Sequence, residues 1–432
     1  MSAHQLSDLI RFARLNSPFY RDLYASLPPG ADRLGDLPVV DQQEFWAANT
    51  LDDNRVLTGP LSEATVYKTG GTTGAPKFSV YTRDEWRTFV TAFGQGMVET
   101  GLRPGHRVAD LFYAGELYAS FLFVLDSLAH APVDNVRLPI GGAAPLESTV
   151  PVLRDFGVQV VTGTPTTLCR LAEHVIAAGQ RLDAVELVLF GGEALFADQQ
   201  RLLAAAFPNA RARSVGYASV DAGLLGCPVP GPDPRMHRAF TPHSVVEILD
   251  DTTGEPITEP GRPGRVVVTS LFRRLMPVIR YPAGDRAEWA DTRTGHFRIL
   301  GRAEEGVRVG PVSLYSQDAQ DAVATADTAG RVVGMQLAVR RWDGRDGLVL
   351  RLATAPGDEA PGDDDRGGDP AGLESLAKAV VTELETVRPL YPDSVRAGYV
   401  HPLTVEWVRH RDLAVNPRSG KLVRVVDERP TT

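Results

Sequence analysis

Residues 67–77 read Tyr67-Lys68-Thr69-Gly70-Gly71-Thr72-Thr73-Gly74-Ala75-Pro76-Lys77. Glycines let backbone N–H groups turn inward, threonine hydroxyls add hydrogen-bond donors, and the closing lysine adds a positive charge. We therefore predict that this segment, called the phosphate loop below, holds a polyphosphate. It is not a Walker A loop, because Pro76 precedes Lys77 and an extended run follows instead of a helix. Taken alone, the loop could also be a hairpin turn with a surface lysine.

Length and composition predict a protein of more than one domain that binds small molecules. The chain has 432 residues, 43% of them hydrophobic, and a net charge of −9 with scattered lysine and arginine, which argues against a nucleic-acid partner. Its two cysteines, Cys169 and Cys227, are too few for a disulfide framework or a four-cysteine zinc site. Without an apolar run of membrane-spanning length or a signal-like start, the sequence predicts a cytoplasmic protein with no membrane partner. It does not determine the oligomeric state.

The middle of the chain alternates short β-branched runs with helical patterns. The runs cover residues 107–112, 158–162 and 185–190, and the helical patterns cover residues 117–129, 166–178 and 197–207. Repeated βα units predict a doubly wound, mostly parallel sheet that binds ligands at its strand ends. After the phosphate loop, Thr82 and Glu85 predict a capping box at the start of a helix that Gly101 ends.

A second pattern begins after residue 240. Residues 244–249 and 265–270 alternate as antiparallel strands and predict a β subdomain. Beyond residue 301 we predict a small mobile α+β domain, with strands over 332–340, 348–353 and 403–408, a helix over 373–387 and a solvated, disordered loop over 355–372. The predicted fold is α/β, with an N-terminal domain over 1–301 and a C-terminal domain over 302–432.

Four segments, in order along the chain, resemble motifs of one family. The phosphate loop resembles that of the adenylate-forming superfamily, which includes acyl- and aryl-CoA ligases. Three more segments are similar to the phenylacetate-CoA ligase branch: Asn16-Ser17-Pro18-Phe19-Tyr20-Arg21 with Leu37-Pro38-Val39-Val40, Met276-Pro277-Val278-Ile279-Arg280-Tyr281-Pro282-Ala283-Gly284-Asp285, and Pro417-Arg418-Ser419-Gly420-Lys421-Leu422-Val423-Arg424. The resemblance implies an enzyme that uses ATP and Mg²⁺ to convert an aromatic carboxylic acid to acyl-AMP, and then CoA to form a thioester.

The same resemblance implies a nucleotide site and a metal ligand. The nucleotide site would comprise Thr69, Gly70, Gly71, Thr72, Thr73, Gly74, Lys77, Gly192, Glu193, Tyr217, Asp285 and Arg302, and Asp221 would bind Mg²⁺. Asp221 is one methylene shorter than the glutamate of the family pattern, yet a carboxylate remains a suitable Mg²⁺ ligand. Other positions also depart from the pattern, namely Pro282-Ala283 for Arg-Thr and Glu304-Glu305 for Asp-Asp. Alternatively, Gly191–Ala194 is an ordinary strand-to-helix turn and Asp285 a surface acid.

Lys421 matches the lysine of the family's last motif, which bridges the carboxylate and the α-phosphate. A flexible ammonium suits that electrostatic task, although a lysine near a terminus is otherwise a surface charge. The acid pocket implied by the resemblance comprises Tyr113, Glu116, Tyr118, Gly191, Ala218 and Ser219. The two tyrosines would sandwich an aromatic ring or belong to the core, and Glu116 would face water or meet an amino or hydroxyl group of the substrate.

Two other functions remain open from the sequence. The short segment after residue 305 leaves room for another acyl acceptor, such as an amine, a nitrogen nucleophile or a carrier protein. The departures at Asp221, Pro282 and Glu304 would also suit a non-catalytic nucleotide-binding protein, but the retention of Lys77, Asp285 and Lys421 argues against it.

Overall fold

The computed structural model describes residues 3–68, 77–195, 197–231, 233–302, 306–354 and 370–429. Several predicted features lie outside these ranges, namely Thr69, Gly70, Gly71, Thr72, Thr73 and Gly74 of the phosphate loop, Glu304 and Glu305, and residues 355–369. In the described part of the chain, no helix is both long enough and apolar enough to cross a bilayer.

The first elements form a cap on the antiparallel part of the molecule. They are α1 (Ala3–Asn16), α2 (Pro18–Leu23), a 3₁₀ turn (Leu34–Asp36), α3 (Gln42–Ala48), and the hairpin of β1 (Ala64–Lys68) and β2 (Phe78–Thr82). Tyr20 of α2 is fully buried, donates to Pro277 O at 3.0 Å and accepts from Ile279 N at 3.1 Å. The buried Tyr20 hydroxyl therefore joins the family-like segment of residues 16–21 directly to that of residues 276–285.

Helix α4 (Arg83–Glu99) begins with the predicted capping box. The Thr82 hydroxyl accepts from Glu85 N at 3.3 Å, and the Glu85 carboxylate accepts from Thr82 N at 2.9 Å. Glu85 also accepts from the backbone N–H groups of Arg274 and Leu275, at 2.6 and 2.9 Å. The start of α4 follows the β1–β2 hairpin directly. Through Glu85 it is hydrogen-bonded to Arg274 and Leu275, which immediately precede the family-like segment of residues 276–285.

A parallel sheet with helices on both faces follows, as predicted. Its elements are β3 (His106–Asp110), α5 (Ser120–Ala129), β4 (Asn135–Pro139), α6 (Leu146–Asp155), β5 (Val160–Gly163), α7 (Pro165–Ala177), β6 (Leu187–Phe190), α8 (Ala197–Ala206) and β7 (Arg211–Ser214). The strands are ordered β4-β3-β5-β6-β7 and pair in parallel. Alternate residues face opposite cores: Val161 and Val188 pack with α7 and α8, whereas Val160 and Leu187 pack with α4 and α5. The doubly wound fold is confirmed.

The predicted β subdomain is an antiparallel sheet. It contains β8 (Tyr217–Ser219), β9 (Gly223–Pro228), β10 (Met236–Ala239), β11 (Ser244–Leu249), β12 (Pro263–Ser270), β13 (Val278–Asp291) and β14 (His296–Arg302), ordered β11-β12-β13-β14-β10-β9-β8. On the β13–β14 pair, Asp285 lies opposite Arg302. This register brings two predicted nucleotide-binding positions together.

The C-terminal part is a separate α+β unit. Its elements are β15 (Gly306–Val309), β16 (Val312–Tyr315), α9 (Ser316–Ala326), β17 (Val332–Trp342), β18 (Arg345–Thr354), α10 (Pro370–Val387), α11 (Leu390–Arg396), β19 (Thr404–Arg409), a 3₁₀ turn (His410–Asp412) and β20 (Val425–Asp427). The sheet order is β19-β18-β17-β20. The prediction of a loop up to residue 372 is wrong at its end, because α10 begins at Pro370, and proline is well suited to the first turn of a helix.

The two parts of the chain pack against each other. Val333, Ala353 and Leu413 belong to the same buried apolar cluster as Leu203 of α8. His410 Nδ1 lies 3.3 Å from Glu173 Oε2 of α7. The C-terminal unit is thus held against the α7–α8 side of the parallel sheet, and the domain boundary at residue 301 stays a prediction.

Candidate active site

Lys421 lies on a short, internally bonded hairpin. Val415 and Leu422 form an isolated β-bridge, and Asn416 N donates to Lys421 O at 2.8 Å. The Asn416 side-chain oxygen accepts from the N–H groups of Arg418 and Ser419, at 3.0 and 3.2 Å. These bonds fix residues 416–421, called the lysine loop below, through the chain's own groups.

The lysine loop lies against the strand ends of the parallel sheet. A Cβ at Gly420 would stand 1.9 Å from the ring of Tyr113, and a Cβ at Gly192 would stand 2.8 Å from Lys421 Cε and 3.1 Å from Nζ. The Arg418 guanidinium lies 5.7 Å from the ring centre of Tyr118. The close approach to the Tyr113 ring therefore requires glycine at 420, while the φ of +79° favours glycine at 192. This approach brings the loop that carries Lys421 against Tyr113 and Tyr118, two predicted residues of the acid pocket.

The segment after β3 forms one wall of this region through an unusual backbone path. Gly115, Glu116 and Leu117 have φ values of +99°, +48° and +62°, a left-handed region that costs side-chain-bearing residues about 1–3 kcal/mol each. Leu117 O accepts from Lys68 N at 3.0 Å, which connects this wall to the end of β1. The side chain of Glu116 is exposed to solvent.

The other predicted pocket residues lie at the ends of β6 and on β8. A Cβ at Gly191 would stand 2.6 Å from Val215 Cγ2 and 3.6 Å from the Phe112 ring, so only glycine fits there. Ala218 and Ser219 are partly buried on β8, and the Ser219 hydroxyl accepts from Ala222 N at 3.0 Å. That bond fixes the turn that carries Asp221.

Glu193 connects the two parts of the chain. Its Oε2 accepts from the backbone N and the hydroxyl of Thr166, at 3.0 and 2.8 Å, at the N-terminus of α7. Its Oε1 accepts from Leu422 N at 2.5 Å, directly after Lys421 in the chain. The carboxylate that the resemblance assigned to the nucleotide is therefore bonded to protein groups.

Tyr217 and Asp285 form a second group beside the strand ends. The Tyr217 hydroxyl donates to Asp285 Oδ2 at 2.6 Å, a short bond of the kind a carboxylate acceptor gives. Val215 N donates to Phe190 O at 2.8 Å, so the chain leading to Tyr217 continues from the edge where Gly191 lies. The ring and the carboxylate are thus held together by this bond, two residues beyond the end of the segment that Phe190 anchors.

Asp221 is held by residues that sequence reasoning missed. The Tyr281 hydroxyl donates to Asp221 Oδ2 at 3.2 Å and accepts from Trp46 Nε1 at 3.0 Å. Burial and the neighbouring Asp221 raise the pKa of Tyr281, so its hydroxyl remains a donor at neutral pH. Lys77 Nζ lies 5.5 Å from the ring centre of Trp46. Asp221 is therefore linked through two aromatic side chains to the end of the phosphate loop.

A buried arginine fixes the backbone of this turn. The Arg273 side chain is fully buried, donates to Asp221 O at 2.5 Å and Val80 O at 2.8 Å, and lies 4.0 Å from the ring centre of Tyr81. It joins β2 to the Asp221 turn without a carboxylate partner among these contacts. Tyr281 lies in the family-like segment of residues 276–285, and Arg273 lies just before it. No local sequence pattern, however, identifies the residues that these two side chains contact.

A magnesium ion bound here would be held by few protein groups. Among the described residues, no cluster of three or more His, Cys, Asp or Glu side chains is arranged to hold a metal. One carboxylate with the phosphates of a nucleotide is, however, a common way to bind Mg²⁺. Asp221 fits that role, since only Oδ2 accepts from Tyr281.

The chain is similar to known proteins in both sequence and fold. Residues 31–272 match the family model described as AMP-binding enzyme. The chain is 25% identical over 378 residues to the phenylacetate-coenzyme A ligase of Thermus thermophilus, covering 82% of this chain and 80% of that protein. The fold resembles that of 2-hydroxyisobutyryl-CoA ligase with 2-HIB-AMP in the postadenylation state, with a TM-score of 0.77, 21% identity, and coverage of 99% of this chain and 88% of that one. The same ligase in the thioesterification state gives a TM-score of 0.59, with 22% identity, 99% of this chain and 89% of that one.

The match to the family model defines the class of this protein, an adenylate-forming, AMP-binding enzyme. The chain belongs to the AMP-binding enzyme family, in its phenylacetate-CoA ligase-like branch. The predicted class, an enzyme of the AMP-binding family, is confirmed, and its relative from Thermus thermophilus is an acid–CoA ligase. The roles of the individual site residues stay predictions.

Proposed function

We propose that this enzyme activates an aromatic carboxylic acid with ATP and Mg²⁺ and transfers the acyl group to CoA. The observation that carries the proposal is the position of Lys421, whose Nζ would stand 3.1 Å from a Cβ at Gly192 after the end of β6, while the neighbouring Gly420 lies against the Tyr113 ring. There it can meet both an incoming carboxylate and the α-phosphate of ATP.

The first half-reaction follows from this arrangement. A carboxylate oxygen attacks the α-phosphorus, the bond to the β-phosphate oxygen breaks, and pyrophosphate leaves with that electron pair. Lys421 would stabilise charge on the α-phosphate, and preorganised donors of this kind are typically worth 10²–10³ in rate. Asp285 would accept from the ribose hydroxyls, held in place by Tyr217. Bound Mg²⁺ would neutralise phosphate charge, with Asp221 as its protein ligand.

In the second half-reaction the CoA sulfur attacks the acyl carbon, and AMP leaves. A CoA acceptor is supported by the phenylacetate-CoA ligase relative. An aromatic acid is supported by the same relative and by the half-buried rings of Tyr113 and Tyr118, which lie beside the lysine loop. Glu116 is solvent-exposed here, and a substituent contact would require it to turn into the cleft.

Acid-dependent exchange of labelled pyrophosphate into ATP tests the proposal. Phenylacetate, benzoate and cinnamate, with and without amino or hydroxyl groups, are compared with 2-hydroxyisobutyrate and acetate as aliphatic acids. We expect exchange with an aromatic acid at least tenfold faster than with either aliphatic acid. A faster aliphatic acid would contradict the aromatic assignment, and no exchange with any acid would contradict acyl-AMP formation. CoA, amines and a carrier protein are then compared as acceptors.

A further inference from the structure

We infer that Glu193 is a positioning residue for Lys421: its carboxylate holds the lysine loop in the cleft and so supports acyl-AMP formation but not thioester formation. The inference rests on the proposed role of Lys421. Glu193 is thereby assigned to the contact between the parallel-sheet part and the C-terminal part of this chain, rather than to the nucleotide.

The first argument is the use of both carboxylate oxygens. Oε2 accepts two bonds from Thr166 and Oε1 accepts one from Leu422, so three donors converge on one partly buried side chain. Hydrogen bonds to a charged group are the stronger ones in proteins. The Thr166 bonds come from the first turn of α7, where the helix dipole favours an anion. The carboxylate is therefore held firmly on the sheet side and offers its other oxygen to the lysine loop.

The second argument is the place of the bond along the chain. Leu422 directly follows Lys421, and its N–H donates across 229 residues of sequence to Glu193. Lys421 itself lies against Gly192, the residue before Glu193. A displacement of the loop that breaks the Leu422 bond must also move the Lys421 backbone. The energy of this bond thus biases the equilibrium toward the arrangement with Lys421 in the cleft.

The third argument is what the contact leaves unaffected. Thioester formation needs the acyl-AMP and the CoA sulfur, not an ammonium on the α-phosphate during pyrophosphate release. Loss of the Glu193 bond should therefore slow the first half-reaction and spare the second. A residue that only stabilises the fold would change both half-reactions together.

The test compares Glu193→Gln with Glu186→Gln, an exposed glutamate before β6. The amide keeps the shape of the side chain but turns one acceptor into a donor that faces an N–H group. We expect pyrophosphate exchange at saturating ATP to fall about 10- to 100-fold in Glu193→Gln, as for one hydrogen bond to a charged group, with the KM for ATP within twofold. Thioester formation from synthetic acyl-AMP and CoA should stay within twofold. Glu186→Gln should match the wild type in both assays.

A double variant shows whether Glu193 acts through Lys421. If it does, Glu193→Gln should slow exchange no further once Lys421→Ala is present, because the two effects are then not additive. Additive losses, or a raised KM for ATP as the main effect of Glu193→Gln, would overturn the inference.

Hydrogen–deuterium exchange provides a readout that does not need activity. The peptide containing Leu422 should exchange faster in Glu193→Gln than in wild type, while peptides of α7 beyond its first turn are unchanged. Unchanged exchange at Leu422 would overturn the inference even in an active enzyme. Faster exchange at Leu422 in a protein inactive toward every acid would retain the contact and contradict the proposed function instead.

Discussion

At the residue scale, the chain combines side chains that a motif identifies with partners that no motif identifies. Asp285 and Lys421 can be predicted from their flanking sequence. The bond from Tyr281 to Asp221 spans 60 residues and that from Leu422 to Glu193 spans 229. Such pairings depend on how whole elements pack, so sequence pattern alone does not reveal them.

Asp285 provides a prediction for nucleotide binding. Replacing it by alanine removes the acceptor for the ribose hydroxyls, which should weaken ATP binding by about 1.5–3 kcal/mol. Tyr217→Phe should have a smaller effect, since it removes only the bond that orients Asp285. Titrations with ATP and 2′-deoxy-ATP measure this. Replacing ATP by 2′-deoxy-ATP should lower the binding affinity less for Asp285→Ala than for wild type. An equal ratio of the two affinities in both proteins would argue against the ribose contact.

Asp110 provides a prediction for pH dependence. It is fully buried at the end of β3, where Oδ1 accepts from Phe112 N and Thr162 Oγ1 while Oδ2 has no hydrogen-bond partner. Burial raises the pKa of Asp110 to about 7 from an ordinary value of 3.8. Between these values the folded protein keeps a proton that the unfolded chain releases, so the free energy of unfolding should fall as the pH rises from about 4 to 7, by up to about 1.4 kcal/mol per unit.

Asp110→Asn removes this titration. Urea unfolding at several pH values should therefore show the variant gaining stability relative to wild type between pH 4 and 7, by a few kcal/mol in total. Asp134→Asn, at an exposed position, is the control and should show a constant difference. A constant difference for Asp110→Asn as well would mean that the buried carboxyl does not hold its proton.

At the element scale, strong local signals predicted the elements well and weak ones were missed. Helix α4 has a capping box and a regular apolar face, and β11 alternates buried and partly buried residues over most of its length. Strand β4 lies at the sheet edge with a single buried residue, and α6 contains Pro151 and has no side-chain cap. Both were missed because the parallel sheet, rather than local preference, stabilises them.

The capping box of α4 supports a prediction on stability. Thr82→Ala should cost about 1 kcal/mol, as for the loss of an N-cap side chain. Glu85→Ala should cost more, about 3 kcal/mol, because the N–H groups of Arg274 and Leu275 also lose their buried acceptor. Asp84→Ala, at an exposed site in the same turn, should stay within about 0.5 kcal/mol. Denaturant midpoints rank the three, and equal losses for Thr82→Ala and Glu85→Ala would mean that the bonds beyond the helix contribute nothing.

At the scale of the whole molecule, the candidate active site combines residues from both parts of the chain. The sheet side contributes Tyr113, Gly192 and Glu193, and the C-terminal unit contributes Gly420 and Lys421. The sequence predicted Tyr113, Gly192, Glu193 and Lys421 as site residues, but neither the role of Gly420 nor the contacts between the two parts. The proposed catalytic arrangement therefore depends on the close approach of the lysine loop, at Gly420, to the Tyr113 ring on the sheet side.

Gly420→Ala tests that close approach. The new Cβ would stand 1.9 Å from the Tyr113 ring and at a φ of +64°, so the lysine loop should withdraw and pyrophosphate exchange should fall at least tenfold. Gly398→Ala is the control, since it has a φ of +75° but open space around the Cβ. A Gly420→Ala enzyme as active as Gly398→Ala would show that the observed contact is not needed.

The most direct test of the proposed activity is a product measurement on wild type and Lys421→Ala with ATP, Mg²⁺, CoA and the best aromatic acid. The wild type should form AMP and the aryl-CoA thioester in equal amounts. Lys421→Ala should form both about 10²–10³ more slowly, yet convert synthetic acyl-AMP and CoA at close to the wild-type rate. Wild-type ADP in place of AMP, or a Lys421→Ala variant that makes acyl-AMP at the normal rate, would contradict the account.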